Sequence, residues 1–145
     1  MIRLCGVLFA VTAALTVAAD DKKDDAAKEE LKKMEGTWLL VSGEDNGQMM
    51  PAEMLKTIKA VIKGDKLSIY FGDKAFEGTL TVDPSKKPKT MDTVMTADKK
   101  TGVAIYELDG DNFTICVGNK GERPKEFTGK KDSGCSLYVY KREKK

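Results

Sequence analysis

The chain has 145 residues, 41% of them hydrophobic and 33% charged, with a formal net charge of +2. That length supports one domain and leaves little for a second. The 25 basic and 23 acidic residues are evenly mixed, which argues against a nucleic-acid binder with its concentrated basic face, and the absence of histidine excludes common zinc sites and histidine-based triads.

Residues 1–19 have the pattern of a secretory signal peptide. Arg3 supplies the positive start, Leu4 to Val17 is apolar apart from two threonines, and Val17-Ala18-Ala19 offers small residues before Asp20. The apolar stretch is shorter than the roughly 20 residues of a comfortable span. Cleavage is therefore favoured over a retained anchor, and no stable membrane insertion of the mature chain is expected. The expected location is secreted or periplasmic. Cys5 precedes the apolar stretch, which argues against lipid attachment. Loss of this segment removes one base, Arg3, and no acid, leaving a net charge of +1.

Residues 20–33 form a charged spacer and leader helix, free of aromatic and β-branched residues. The first part is expected to be disordered. From Asp25 onward the residues are strong helix formers, with Ala27, Leu31 and Met34 on one face. Residues 34–145 then form the folded domain, in which the period changes from helical to alternating. Strands are predicted at Thr37 to Ser42, Lys59 to Lys63, Lys66 to Phe71, Ala75 to Val82, Thr90 to Met95, Val103 to Leu108, Asn112 to Val117 and Ser136 to Arg142. Gly43 to Gln48 is rich in turn formers, and Pro51 suits the start of a short helix reaching Thr57. Gly64-Asp65 and Gly72-Asp73 suit tight hairpins with glycine first. Asp109-Gly110 between alternating runs is a hairpin turn and lacks the later ligands of a calcium loop.

Several strands have one clearly apolar face, such as Leu67, Ile69 and Phe71, or Phe113, Ile115 and Val117. Short connections make sequence neighbours spatial neighbours. The fold class is therefore all-β: an eight-stranded antiparallel up-and-down barrel whose closure removes exposed edges, with a short N-terminal helix and a short helix between its first two strands. An open sandwich is the competing arrangement. If the first and last strands meet, the Arg142 guanidinium lies over the Trp38 indole and closes one end.

Cys116 and Cys135 remain after export and form a possible disulfide in an oxidising compartment, the alternative being two buried thiols. Strand parity weighs against the bond. Cys116 opposes the apolar face of its strand, whereas Cys135 shares a face with Leu137 and Val139.

Gly36-Thr37-Trp38 with a late Lys141-Arg142 resembles the glycine-x-tryptophan and closing-arginine signature of lipocalins. Further segments resemble a short secreted lipocalin-like domain family abundant in planctomycete bacteria: Gly36 to Gly43, Pro51-Ala52-Glu53, Ile62 to Asp65, Asp83 to Lys89, Ile105 to Asp111 and Arg123 to Phe127. The resemblance runs from about Leu31 to Arg142. It implies a lipocalin-like barrel in which Gly36, Trp38 and Arg142 serve closure, and it implies no established activity.

In lipocalins the segment between the first two strands is a lid over the open mouth. Met49, Met50 and Met54 occupy it here, either as an adaptable apolar contact for a ligand or as core that plugs the barrel. Arg123 and Phe127 lie in the longest loop, Gly118 to Gly134, either as a binding anchor or tucked against the barrel with Arg123 paired to a carboxylate. Asp92 is the one acid expected inside, so no catalytic set, metal site or cofactor is expected. Two functions follow. One is non-enzymatic binding of a small apolar or amphipathic molecule at the barrel mouth. The other is a protein-interaction or envelope-associated module, inhibitor or scaffold, acting through surface loops on an unknown protein partner.

Overall fold

Leu31 and Met34 recur at helical spacing with Ala27, and this stripe seats one helix against the sheet that follows. Helix α1 spans Ala18–Met34 as a single element. The expected disorder before Asp25 is therefore not found. Acidic residues such as Asp24 and Asp25 precede Lys32 and Lys33 in the last turn, an order that complements the helix dipole. Lys23 lies 3.6 Å from Asp83 and ties the first half of the helix to the barrel. This computed structural model describes residues 18–144, with side chains from Lys22 onward, so the expected signal peptide lies outside them except for the backbone of its last two residues.

The remaining elements are β1 (Gly36–Asp45), β2 (Gln48–Met49), α2 (Ala52–Leu55), β3 (Ile58–Lys63), β4 (Lys66–Phe71), β5 (Lys74–Asp83), β6 (Lys89–Met95), β7 (Thr101–Asp109), β8 (Asn112–Gly118) and β9 (Cys135–Arg142). From β3 to β9 each strand pairs antiparallel with the next, β1 pairs with β3, and β9 returns to pair with β1. The result is a closed eight-stranded barrel. The two-residue β2 is an extra flap on β1, folded back through Asn46-Gly47. Both turn residues have positive φ, 51° and 80°, as a type I′ hairpin requires. At Gly64, Gly72 and Gly110 the first turn residue has φ near 59° and the second is not positive, the glycine-first form.

Strand β1 carries one irregularity. The register with β9 shifts between Leu40 and Ser42, a bulge at Val41. Trp38 and Leu40 point inward before it, and Gly43 and Asp45 take the inward positions after it. Leu39 and Val41 are left exposed on the outer wall. The bulge lets a ten-residue strand bend around the barrel and pair on both sides.

The end of the barrel beneath α1 is closed by aromatic packing and by polar groups that meet the helix terminus. Trp38 and Phe113 have ring centroids 5.3 Å apart, and Tyr106 stands edge-on to Phe113 at 5.9 Å. The last carbonyls of a helix have no partner within it. Here the Trp38 indole N–H donates to the Met34 carbonyl at 2.8 Å, and the Arg142 guanidinium donates to the carbonyls of Lys33 and Glu35. The same guanidinium lies 4.2 Å from the Trp38 ring centre and 3.3 Å from Asp111. Gly36 is required beneath it. Its φ of 130° disfavours any side chain, and a Cβ there would stand 2.9 Å from the Arg142 Nη1.

Glu30 is the one charged residue buried among the described residues, 4% exposed. Its carboxylate accepts from the Lys89 ammonium at 2.8 Å and from the Tyr106 hydroxyl at 3.2 Å. A buried carboxylate is tolerated only when paired in this way. It clamps α1 to β6 and β7.

Candidate binding cavity

Inward positions along the strands alternate as period two demands, but they are not filled evenly. Ala60 on β3, Gly102 and Ala104 on β7 and Thr93 on β6 are small where a packed barrel needs bulk. They leave an interior cavity of about 260 Å³. Leu40, Ile58, Ile62, Leu67, Ile69 and Leu80 wall one side, and Met91, Ile115 and Val117 contribute to the other. Phe113 and Tyr140 border it on the side of the aromatic cluster.

The opposite end opens between strand ends. Phe71 ends β4, Met95 ends β6, Tyr138 stands near the start of β9, and Met50 follows β2. Phe71 is 44% exposed and stacks edge-on with Phe76, which is 46% exposed, at 5.6 Å between ring centres. This apolar rim leads to an apolar interior. No lining residue is charged; Thr93, Tyr138 and Tyr140 supply the only side-chain oxygens. Burial pushes the Tyr140 phenol above its ordinary pKa, with the neighbouring Tyr138 adding to the effect, so it is a neutral donor at any ordinary pH. The Tyr106 phenol is also raised, by burial first and then by the Glu30 charge.

The three methionines of the first connection separate. Met50 lines the cavity, and a Cβ at Gly43 would lie 2.5 Å from its sulfur, so the two residues fit each other closely. Met49 and Met54 are 62% and 48% exposed and do not line the interior. Of the three methionines expected over the mouth, Met50 is the one that lines the interior.

Arg123 and Phe127 do not line the cavity either. The Arg123 guanidinium donates to the carbonyls of Ala104 at 2.8 Å and Met91 at 3.3 Å and pairs with Asp92 at 2.6 Å. Asp92 is on the outer wall, contrary to the expectation that it lies inside. Met91, Thr93 and Met95 take the inward positions of β6. Phe127 is half-buried in the loop. That loop is held against the wall by Gly47 N–H to the Gly129 carbonyl at 2.7 Å and by Asp132 N–H to Asn46 at 3.0 Å. Beside it lies a hollow of about 380 Å³ bordered by acids and bases alike, including Glu122, Lys125 and Asp132.

The structure holds Cys116 and Cys135 as free thiols and not as the disulfide considered from sequence. The parity objection to it fails for a separate reason. On β9 the inward residues are Ser136, Tyr138 and Tyr140, opposite Val117, Ile115 and Phe113. Leu137 and Val139 face outward, and Cys135 shares their side with Cys116. The two cysteines are diagonal neighbours on the outer wall, beneath the long loop. Cys116 is fully buried there, donates its S–H to the Thr128 carbonyl at 3.3 Å, and is raised in pKa by burial.

Nothing in the chain's motifs marked Tyr138, Tyr140, Met91 or Met95 as cavity residues. The available signal was the run of small residues at inward positions, Ala60, Gly102 and Ala104. Among the described residues no three acidic or cysteine side chains converge as a metal site. Comparison with protein-family models, with curated proteins and with solved structures finds no match to this chain.

Proposed function

We propose that this protein is a lipocalin-like, non-enzymatic carrier or sensor of a small apolar molecule, exported by residues 1–19 and holding its ligand inside the barrel. The observation that carries the reading is the apolar cavity of about 260 Å³ with an apolar rim at its mouth. A cavity of about 150 Å³ lined by aliphatic and aromatic side chains stays dry and takes benzene. In proportion, this interior suits a molecule of roughly ten non-hydrogen atoms. An affinity on the order of 10 µM for such a molecule stays well below the per-atom ceiling of small ligands.

The test is native mass spectrometry of protein purified from its own host, combined with calorimetric titration of ten-atom apolar probes. A retained small molecule, or micromolar binding that Ala104→Leu abolishes without loss of fold, supports the reading. Absence of both a retained molecule and probe binding up to millimolar concentration rejects it.

A further inference from the structure

We propose that the ligand is a neutral carbonyl compound and that the Tyr140 hydroxyl donates a hydrogen bond to its oxygen. This rests on the reading that the cavity binds a small molecule, and it names the chemistry of that molecule.

Tyr140 is on the inner wall of β9, opposite Leu40 on β1 and Phe113 on β8, and is 7% exposed. Its hydroxyl has no hydrogen-bond partner among the described residues, unlike that of Tyr106, which bonds Glu30. No fully enclosed side-chain nitrogen or oxygen among them lacks a partner. The Tyr140 oxygen must therefore border open space, and on the inner wall that space is the cavity. A phenol in an apolar site costs free energy until it is paired. An occupant with an acceptor in reach removes that cost.

The charge of the occupant follows from the same wall. No lysine or arginine lines the interior, so a carboxylate entering it would lose its hydration with no counter-ion. No acid lines it either, which argues equally against an ammonium group. A carbonyl oxygen accepts without charge, and the remaining lining is aliphatic, aromatic and thioether, suited to the hydrocarbon part. Thr93 and Tyr138 add hydroxyls at other points of the wall. Tyr138 is half-buried near the mouth, where water competes for it.

The probes are 1-indanone and 1-methylindane, of matched shape and about ten non-hydrogen atoms, the size set by the cavity. Each is titrated into the wild-type protein and Tyr140→Phe. The substitution is expected to weaken 1-indanone about fivefold to tenfold, the range of one net hydrogen bond. The hydrocarbon should bind Tyr140→Phe equally well or better, because an unpaired hydroxyl no longer has to be covered. A merely structural role for Tyr140 would move both affinities in one direction, and that result overturns the proposal. So does an unchanged affinity for 1-indanone. If neither probe binds the wild-type protein, the cavity reading itself fails. A second measurement needs no variant: the infrared carbonyl stretch of bound 1-indanone should lie below its frequency in alkane solvent. An alkane-like frequency in the bound state contradicts the hydrogen bond.

Discussion

Replacing Trp38 tests how the barrel is sealed. The indole is wholly buried, packs on Phe113, donates to the Met34 carbonyl and lies under the Arg142 guanidinium. Deleting a buried aromatic to alanine costs about 3–5 kcal/mol through lost transfer energy and the void left behind. Leaving the Met34 carbonyl without its donor adds about 1–3 kcal/mol if water cannot reach it. The guanidinium contact contributes about 0.5–2 kcal/mol. These contributions overlap, so Trp38→Ala is expected to lose about 5 kcal/mol, a large share of the roughly 5–15 kcal/mol of a typical domain. Trp38→Phe keeps the ring against Phe113 and loses the N–H, and should cost about 2 kcal/mol. Urea unfolding at 25 °C, followed by far-UV circular dichroism because the sole tryptophan is gone, measures both. With a urea slope of about 2 kcal/mol per molar, Trp38→Phe moves the midpoint down by about 1 M. A Trp38→Ala protein within about 1 kcal/mol of wild type would refute the packing and capping assigned to this residue.

Other perturbations separate the remaining devices. Glu30→Ala leaves the Tyr106 hydroxyl and Lys89 without their partner and should cost about 2 kcal/mol, less than a fully buried pair because Lys89 is 37% exposed. Adding Tyr106→Phe should recover part of that loss in the same unfolding assay; a double variant no more stable than Glu30→Ala contradicts the pairing. Gly36→Ala, strained by its φ and crowded by Arg142, should cost about 1–3 kcal/mol by thermal unfolding, and a neutral result would show that the chain there relaxes freely. Tyr106 and Tyr140 have folded pKa values above the ordinary 10.0, so the folded state holds protons that the unfolded state releases. Their contribution is complete below pH 10 and is lost as pH rises above it. The urea midpoint should therefore fall as pH rises from about 10 to about 11.5, and Tyr106→Phe should flatten the fall; an equal slope in both proteins contradicts the shift at Tyr106.

The strands were legible because inward and outward residues differ in polarity over most of their length. Leu67, Ile69 and Phe71 against Lys66 and Ser68 leave one possible face. The reading failed where both faces carry apolar residues. On β9, Leu137 and Val139 look like core but face outward, while the inward face bears Tyr138 and Tyr140, whose hydroxyls mask their apolar rings. On β6, Val94 is outside and Thr93 inside, so Asp92 shares the outer side with a valine that looks like core. The bulge at Val41 leaves no local sequence signal and inverts parity for the rest of its strand. Glu30 belongs with Ala27, Leu31 and Met34 by helical spacing, but its burial depends on Lys89 and Tyr106, distant in sequence. The cavity is a property of summed side-chain volumes across several strands. No single motif encodes it, and the small residues at positions 60, 102 and 104 acquire meaning only when the barrel places them together.

The most direct measurement is a crystal of the protein under xenon pressure, since xenon enters dry apolar voids and avoids packed interiors. Xenon density inside the barrel, among Ala60, Met91 and Ala104, is the expected result. An interior filled by side chains, with xenon confined to the outer surface, would contradict a binding cavity in this fold.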